Sequence, residues 1–91
     1  MVTAIILLNI ERGQVNPVAE ALVDIPGVAE VHSVAGRFDL VVIVRVAANE
    51  ALADLVTDHM MKLSGILHTE TLIAFRAFSR HDVEAGFSLG G

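Results

Sequence analysis

Two short stretches hold the residue types best suited to gripping a small molecule. Gly36-Arg37-Phe38-Asp39 sets a guanidinium and a carboxylate around a glycine turn. Backbone N–H groups freed near such a glycine can hold a carboxylate, and the Asp39 carboxylate can hold an ammonium. Downstream, Ser64-Gly65-Ile66-Leu67-His68-Thr69-Glu70-Thr71 places two hydroxyls, Thr69 and Thr71, on one side of an extended chain. Each hydroxyl can donate and accept a hydrogen bond. Taken alone, each stretch also has a plainer reading. The first is a hairpin turn in which Asp39 bonds nearby backbone amides, and the second is a helix stop leading into a β-branched strand.

The other reactive types form no constellation. His32, His59, His68 and His81 show no His-x-His or His-x₃-His spacing, so no metal site is expected. The glycines make no Gly-x-Ser-x-Gly elbow, phosphate loop or dinucleotide fingerprint, and Ser33, Ser64 and Ser79 have no obvious base partner. Glu20, Asp24, Glu50, Asp54 and Asp58 fall at helical or loop positions, where a solvated face is the ordinary explanation. No cofactor is implied, and the chain offers no case for an enzyme.

Composition narrows the setting. A chain of 91 residues makes one domain. Its apolar fraction is 54% with only 4% aromatic, so the apolar content is aliphatic. A domain of this size buries only about 60–65% of its unfolded surface by itself, and the aliphatic excess points to a further surface hidden in an oligomer. No apolar run approaches the ~20 residues that span a bilayer. The apolar opening lacks the basic flank and cleavage site of a signal peptide. With no cysteine, disulfides are excluded and a cytoplasmic setting is expected. A net charge of −5, with six Lys and Arg scattered singly, argues against direct binding to nucleic acid phosphates.

Hydropathy periods assign the two stretches to elements. Val2–Ile10 reads as a strand covered on both sides, with Ala4, Ile6 and Leu8 on one face and Ile5 and Leu7 on the other. Asn16-Pro17 reads as the cap and first position of a helix that turns Val15, Val18, Ala19, Leu22 and Val23 inward and stops at Pro26-Gly27. Residues 28–35 alternate less cleanly and read as a strand nearer an edge. Residues 38–46 form a third strand, with Leu40, Val42, Val44 and Val46 on one face and Val41 and Ile43 on the other. Asn49 is expected to cap a second helix buried through Leu52, Leu55, Val56, His59 or Met60, and Leu63, and ended by Ser64-Gly65. Residues 67–78 form the fourth strand. The domain thus occupies residues 1–78, and residues 79–91 are a tail.

The order β-α-β-β-α-β marks an α+β ferredoxin-like fold, a four-stranded antiparallel sheet with both helices on one face. Strands one and three are central in this topology and apolar on both faces. The helix-free face would leave Ile, Leu and Val in water. Pairing two sheets face to face, as a dimeric α+β barrel, removes that patch.

Three segments carry a resemblance to a known family. They are Pro26-Gly27-Val28 with Val31, Val34-Ala35-Gly36-Arg37-Phe38-Asp39-Leu40, and Leu63-Ser64-Gly65-Ile66 with Thr69-x-Thr71-x-Ile73. Together they resemble the ligand-binding C-terminal domain of the Lrp/AsnC regulators, the regulation of amino-acid metabolism domain, from about Val2 to Phe78. The resemblance implies amino-acid binding in clefts between dimers, with Gly36, Arg37, Phe38, Asp39, Thr69 and Thr71 as the ligand-binding residues. It implies a homodimer assembling to a tetramer or octamer. The chain begins at strand one, without the helix-turn-helix domain of full regulators, and so resembles the stand-alone sensor, with a slight preference for a natural start at Met1. Such a module would modulate transcription by binding a small molecule or by mixed assembly with full-length regulators, without touching DNA or membrane. The alternative is a small cofactor-free enzyme of the dimeric α+β barrel class. That class ordinarily lines its barrel with polar or aromatic side chains, and this chain has no Tyr or Trp. A third reading, the ACT-type amino-acid-binding domain, commonly sets its sheets side by side.

Overall fold

The computed structural model describes residues 1–78 and Arg80. Apart from Arg80, the expected tail lies outside the described residues. Strand β1 is Val2–Ile10, helix α1 Val15–Val23, strand β2 Val28–Ser33, strand β3 Leu40–Val46, helix α2 begins as Asn49–Asp54, and strand β4 is Ile66–Ile73. All pairings are antiparallel, in the order β2-β3-β1-β4. This is the expected α+β ferredoxin-like arrangement, with β1 and β3 central.

The two faces separate by strand parity. Ala4, Ile6, Leu8, Leu40, Val42 and Val44 are wholly buried and pack with Val18 and Leu22 of α1, with Leu52 and with Leu55 and Met60 beyond it. These side chains are the core, and they lie on the helix side of the sheet. Ile5, Leu7, Val41 and Ile43 point the other way and are only half-buried. Among the described residues no helix covers them.

Several boundaries differ from expectation, each for a physical reason. Helix α1 starts two residues early: Gln14 precedes it and gives no side-chain cap, and Val18 N–H donates to Gln14 O at 3.0 Å. Asn16 is therefore inside the first turn. Pro17 sits third, where a helical N–H has no partner in any case, so it breaks no bond. Val23 is 57% exposed rather than part of the buried stripe. Asn49 likewise is a helical residue and not a side-chain cap, since Ala48 occupies that position in extended conformation.

The second helix changes pitch. Asn49–Asp54 continues as a π turn, Leu55–His59, and a 3₁₀ turn, Met60–Lys62. A π turn spends one extra residue per turn. The position inward of Leu55 therefore falls five residues on, at Met60, which is fully buried, while His59 is exposed. The Thr57 hydroxyl donates to Ala53 O at 2.8 Å within this irregular stretch. Strand β4 ends at Ile73 rather than running to residue 78. Ala4 opposes Ile73, only Val2 and Thr3 of β1 lie beyond, and Ala74 N–H makes one more bond, to Thr3 O at 2.9 Å. Phe75 and Phe78 beyond it are exposed.

Candidate functional site

The connection from β2 to β3 is wider than a tight hairpin. Ser33 opposes Leu40, leaving six residues, 34–39, in the loop. Val34 N–H donates to Asp39 O at 3.0 Å and closes it. Gly36 has φ +136°, a conformation side-chain-bearing residues rarely adopt, and it projects into open space.

The loop is fastened to the far end of β1. Asp39 N–H donates to Leu8 O at 2.8 Å. The Asp39 Oδ2 accepts from Ile10 N–H at 2.8 Å, and Asn9 Nδ2 donates to Arg37 O at 2.7 Å. This clasp lies where the β1–β4 register shifts, between Asn9 and Ile10. Asp39 is expected to bond nearby turn amides, but its carboxylate instead accepts from an amide of another strand, 29 residues away in sequence. One carboxylate oxygen is used in this bond. Phe38 is half-buried, and the Arg37 side chain is exposed.

Thr69 opposes Leu8 and Thr71 opposes Ile6, so both hydroxyls lie on the same, helix-side face of edge strand β4. Thr69 is half-buried and Thr71 exposed. Leu40, Leu8 and Thr69 form one row across the sheet. The loop and Thr69 thus share one end of the sheet but stand on opposite sides of β1, about 10 Å apart at ~4.8 Å per strand. Thr71 is about 7 Å further along β4. The ammonium and carboxylate of an α-amino acid are only two bonds apart. That span is shorter than the separation of the two backbones.

Other features lie away from these residues. One depression of about 130 Å³ lies between α1 and the Leu63-Ser64 segment, and another, about 600 Å³, is lined by Phe75, Arg76 and Phe78. Neither touches the loop or the threonines. Among the described residues no group of three His, Asp or Glu could hold a metal ion, and no helix is long and apolar enough to cross a membrane. His32 is on β2 and His68 on β4, the opposite edges of the sheet, while His81 lies outside the described residues. Sequence reasoning missed the clasp residue Asn9 and the contact between His32 Nε2 and Glu30 Oε1, 2.7 Å on exposed β2. The alternation of β2 carries the second signal, since residues two apart on a strand share a face. Asn9 gives no local signal.

Residues 3–83 match the family model of the Lrp/AsnC ligand binding domain. Over 58 residues the chain is 41% identical to an HTH-type transcriptional regulator of Pyrococcus horikoshii, covering 64% of this chain and 39% of that protein. The chain spans less than half the length of the curated regulators it matches. Among solved structures, TTHA0845 from Thermus thermophilus superposes with a TM-score of 0.82 at 45% identity, covering 88% of this chain and 100% of that one. A feast or famine regulatory protein from M. tuberculosis, complexed with L-methionine, gives a TM-score of 0.72 at 26% identity over 87% of this chain and 53% of that one. The curated relatives are named as regulators of transcription, not as enzymes. A fold with bare aliphatic strands, a glycine loop at their rim and these relatives leads to one assignment: the chain belongs to the Lrp/AsnC family, as its ligand-binding domain.

Proposed function

We propose that this domain is an amino-acid-sensing and oligomerisation module that acts in transcriptional regulation without touching DNA itself. One observation carries the reading: the ligand-binding family model spans the same residues that fold into the sheet, its helices and the loop. The M. tuberculosis relative that holds L-methionine supports an amino acid as the ligand class.

In this reading two copies pair through the uncovered sheet faces, burying Ile5, Leu7, Val41 and Ile43 of each. Dimers assemble further, and the ligand lies in a cleft between subunits. Gly36, Arg37, Phe38 and Asp39 come from one side of the cleft and Thr69 and Thr71 from another subunit. The ~10 Å gap between loop and threonines within a protomer favours such a shared site. The second Asp39 oxygen meets the ammonium, and loop amides near Gly36 and a hydroxyl meet the carboxylate. The same faces allow mixed assembly with full-length regulators. Residues 1–78 act as one unit, and residues 79–91 are an appendage to it.

The test is a thermal-shift screen of the full chain against the twenty amino acids, with the mass in solution measured alongside. A stabilising amino acid and a mass of a dimer or a multiple of it are expected. No shift with any amino acid overturns the sensing role, and a monomer at micromolar concentration overturns the assembly.

A further inference from the structure

We infer that Arg37 sets the ligand class: the site takes an α-amino acid whose side chain ends in a carboxylate in preference to one whose side chain is neutral or basic. The inference rests on the sensing site proposed above and names what that site accepts.

Arg37 has a fixed root and an uncommitted head. Its carbonyl accepts from Asn9 Nδ2 at 2.7 Å, and two residues on the Asp39 carboxylate accepts from Ile10 N–H at 2.8 Å. Both ends of Arg37-Phe38-Asp39 are therefore tied to neighbouring residues of β1, and their Cα atoms lie at most ~7 Å apart. The Arg37 side chain is exposed. Among the described residues its guanidinium has no hydrogen bond and no ion pair, not even with Asp39 of the same loop. The chain has 11 Asp and Glu against 6 Lys and Arg, yet this cation stands without an anion.

Position separates it from the other arginines. Arg45 opposes Thr3 at the far end of the sheet, and Arg76 follows Ala74, which bonds Thr3 at that same end. Arg12 shares the loop end, in the turn after β1, but among the described residues no hydrogen bond ties it to the loop.

In the proposed site the ligand ammonium meets the second Asp39 oxygen, and its α-carboxylate meets loop amides and a hydroxyl. Those two ligand groups are close together. A guanidinium placed to take the same α-carboxylate would stand against Asp39 as well, and the two make no ion pair. Arg37 is therefore left for the ligand's side chain. The side-chain carboxylate of aspartate or glutamate lies three or four bonds from the ammonium, a span of the same order as the gap between Asp39 and Arg37. The planar guanidinium fork takes both oxygens of a carboxylate. An amide offers it one acceptor and sets its own N–H donors against the fork, and an ammonium is repelled.

The experiment is isothermal titration of the full chain with aspartate, glutamate, asparagine, glutamine, methionine and lysine. One of the two acids should bind about three- to tenfold more tightly than its own amide, the scale of a partly exposed charge-assisted pair. Raising the salt should shrink the preference. Arg37→Gln should bring the acid down to the affinity of its amide, and Arg37→Glu should reverse the order, so that lysine outbinds glutamate. Arg12→Gln should keep the preference. Both Arg37 variants retain the carbonyl that Asn9 holds and should melt like the wild type, which separates lost preference from lost fold. Equal affinity for acid and amide in the wild type overturns the inference and leaves the sensing site standing. A preference that survives in Arg37→Gln overturns it too. Binding of none of the six, with no thermal shift from any of the twenty, overturns the sensing reading itself and this inference with it.

Discussion

Val42 and Ile43 are neighbours on central strand β3, yet a carboxylate at each should do opposite things. Val42 is wholly buried against the helices. Val42→Asp forfeits about 1.5–3 kcal/mol of side-chain burial and adds several kcal/mol for an unpaired buried charge, about 3–5 by analogy with a broken buried pair. The total, roughly 5 kcal/mol or more, rivals the whole stability of a 91-residue domain, about 5–14 kcal/mol. The variant should be unfolded. Ile43 is only half-buried in the single chain, and an aspartate there keeps its water, so the cost to the protomer is about 1 kcal/mol, the range of strand preference. In the proposed dimer the substitution acts twice. At about 2 kcal/mol for each stranded carboxylate, the dissociation constant should rise about a thousandfold. Sedimentation equilibrium reads the mass, and far-UV circular dichroism with thermal melts reads the fold. Ile43→Asp should be a folded monomer whose melting point no longer depends on concentration. A native melt from Val42→Asp refutes the assignment of faces, and a dimeric Ile43→Asp refutes the use of the outer face.

Two further substitutions probe the loop end of the sheet. Asp39→Ala strands the Ile10 amide and should cost about 1–3 kcal/mol, lowering Tm by roughly 4–8 °C per kcal/mol, whereas Asp39→Asn keeps an oxygen acceptor and should melt near the wild type. Both should lose the amino-acid-induced thermal shift, because the charge is gone; a shift retained in Asp39→Asn removes the ammonium role. Gly65→Ala should destabilise by about 1–3 kcal/mol, because it demands a strained conformation: φ is +97°, and the new methyl would lie 3.0 Å from Val18 and 3.2 Å from Gln14. A chemical-denaturation midpoint equal to the wild type would show that this close packing of β4's start on α1 relaxes at no cost.

The fold was legible because period and topology agree. Strand β1 reads over the same residues in the sequence and in the structure, since each of its faces is apolar for its own reason: one meets helices, the other stands uncovered. Element ends were less legible because they depend on partners. Alternation in the sequence continues to residue 78, but β4 stops at Ile73, opposite Ala4, where only Val2 and Thr3 of β1 remain beyond. Residues 34 and 35 suit a strand equally well, but the loop closes between Val34 and Asp39. Helix caps misled for a related reason. Asn16 and Asn49 are good caps in isolation, yet Val15 and Asn49 are already helical, with Gln14 and Ala48 just before them. The choice between His59 and Met60 could not be made from a 3.6-residue period. It turned on a π turn that adds one residue to the count.

The 36–39 loop shows how far local chemistry can be read without its surroundings. Glycine before a guanidinium and a carboxylate announces a special backbone, and φ at Gly36 agrees. The sequence does not announce that Asp39 reaches Ile10 or that Asn9 reaches Arg37, contacts across 29 and 28 residues. Those bonds change what the loop can do. A carboxylate held by one oxygen on a strand amide is oriented by that bond, and its second oxygen can still accept from a ligand. The loop carbonyl of Arg37 is likewise held by Asn9, which stiffens the backbone on which Gly36 stands. A loop prepared in this way loses less freedom when it binds than a mobile one would. The threonines stand on the far side of β1 from the loop. In the proposed site, shared between subunits, ligand affinity and assembly are linked. An amino acid that fits the loop should raise the assembly state, and dilution to protomers should abolish its binding.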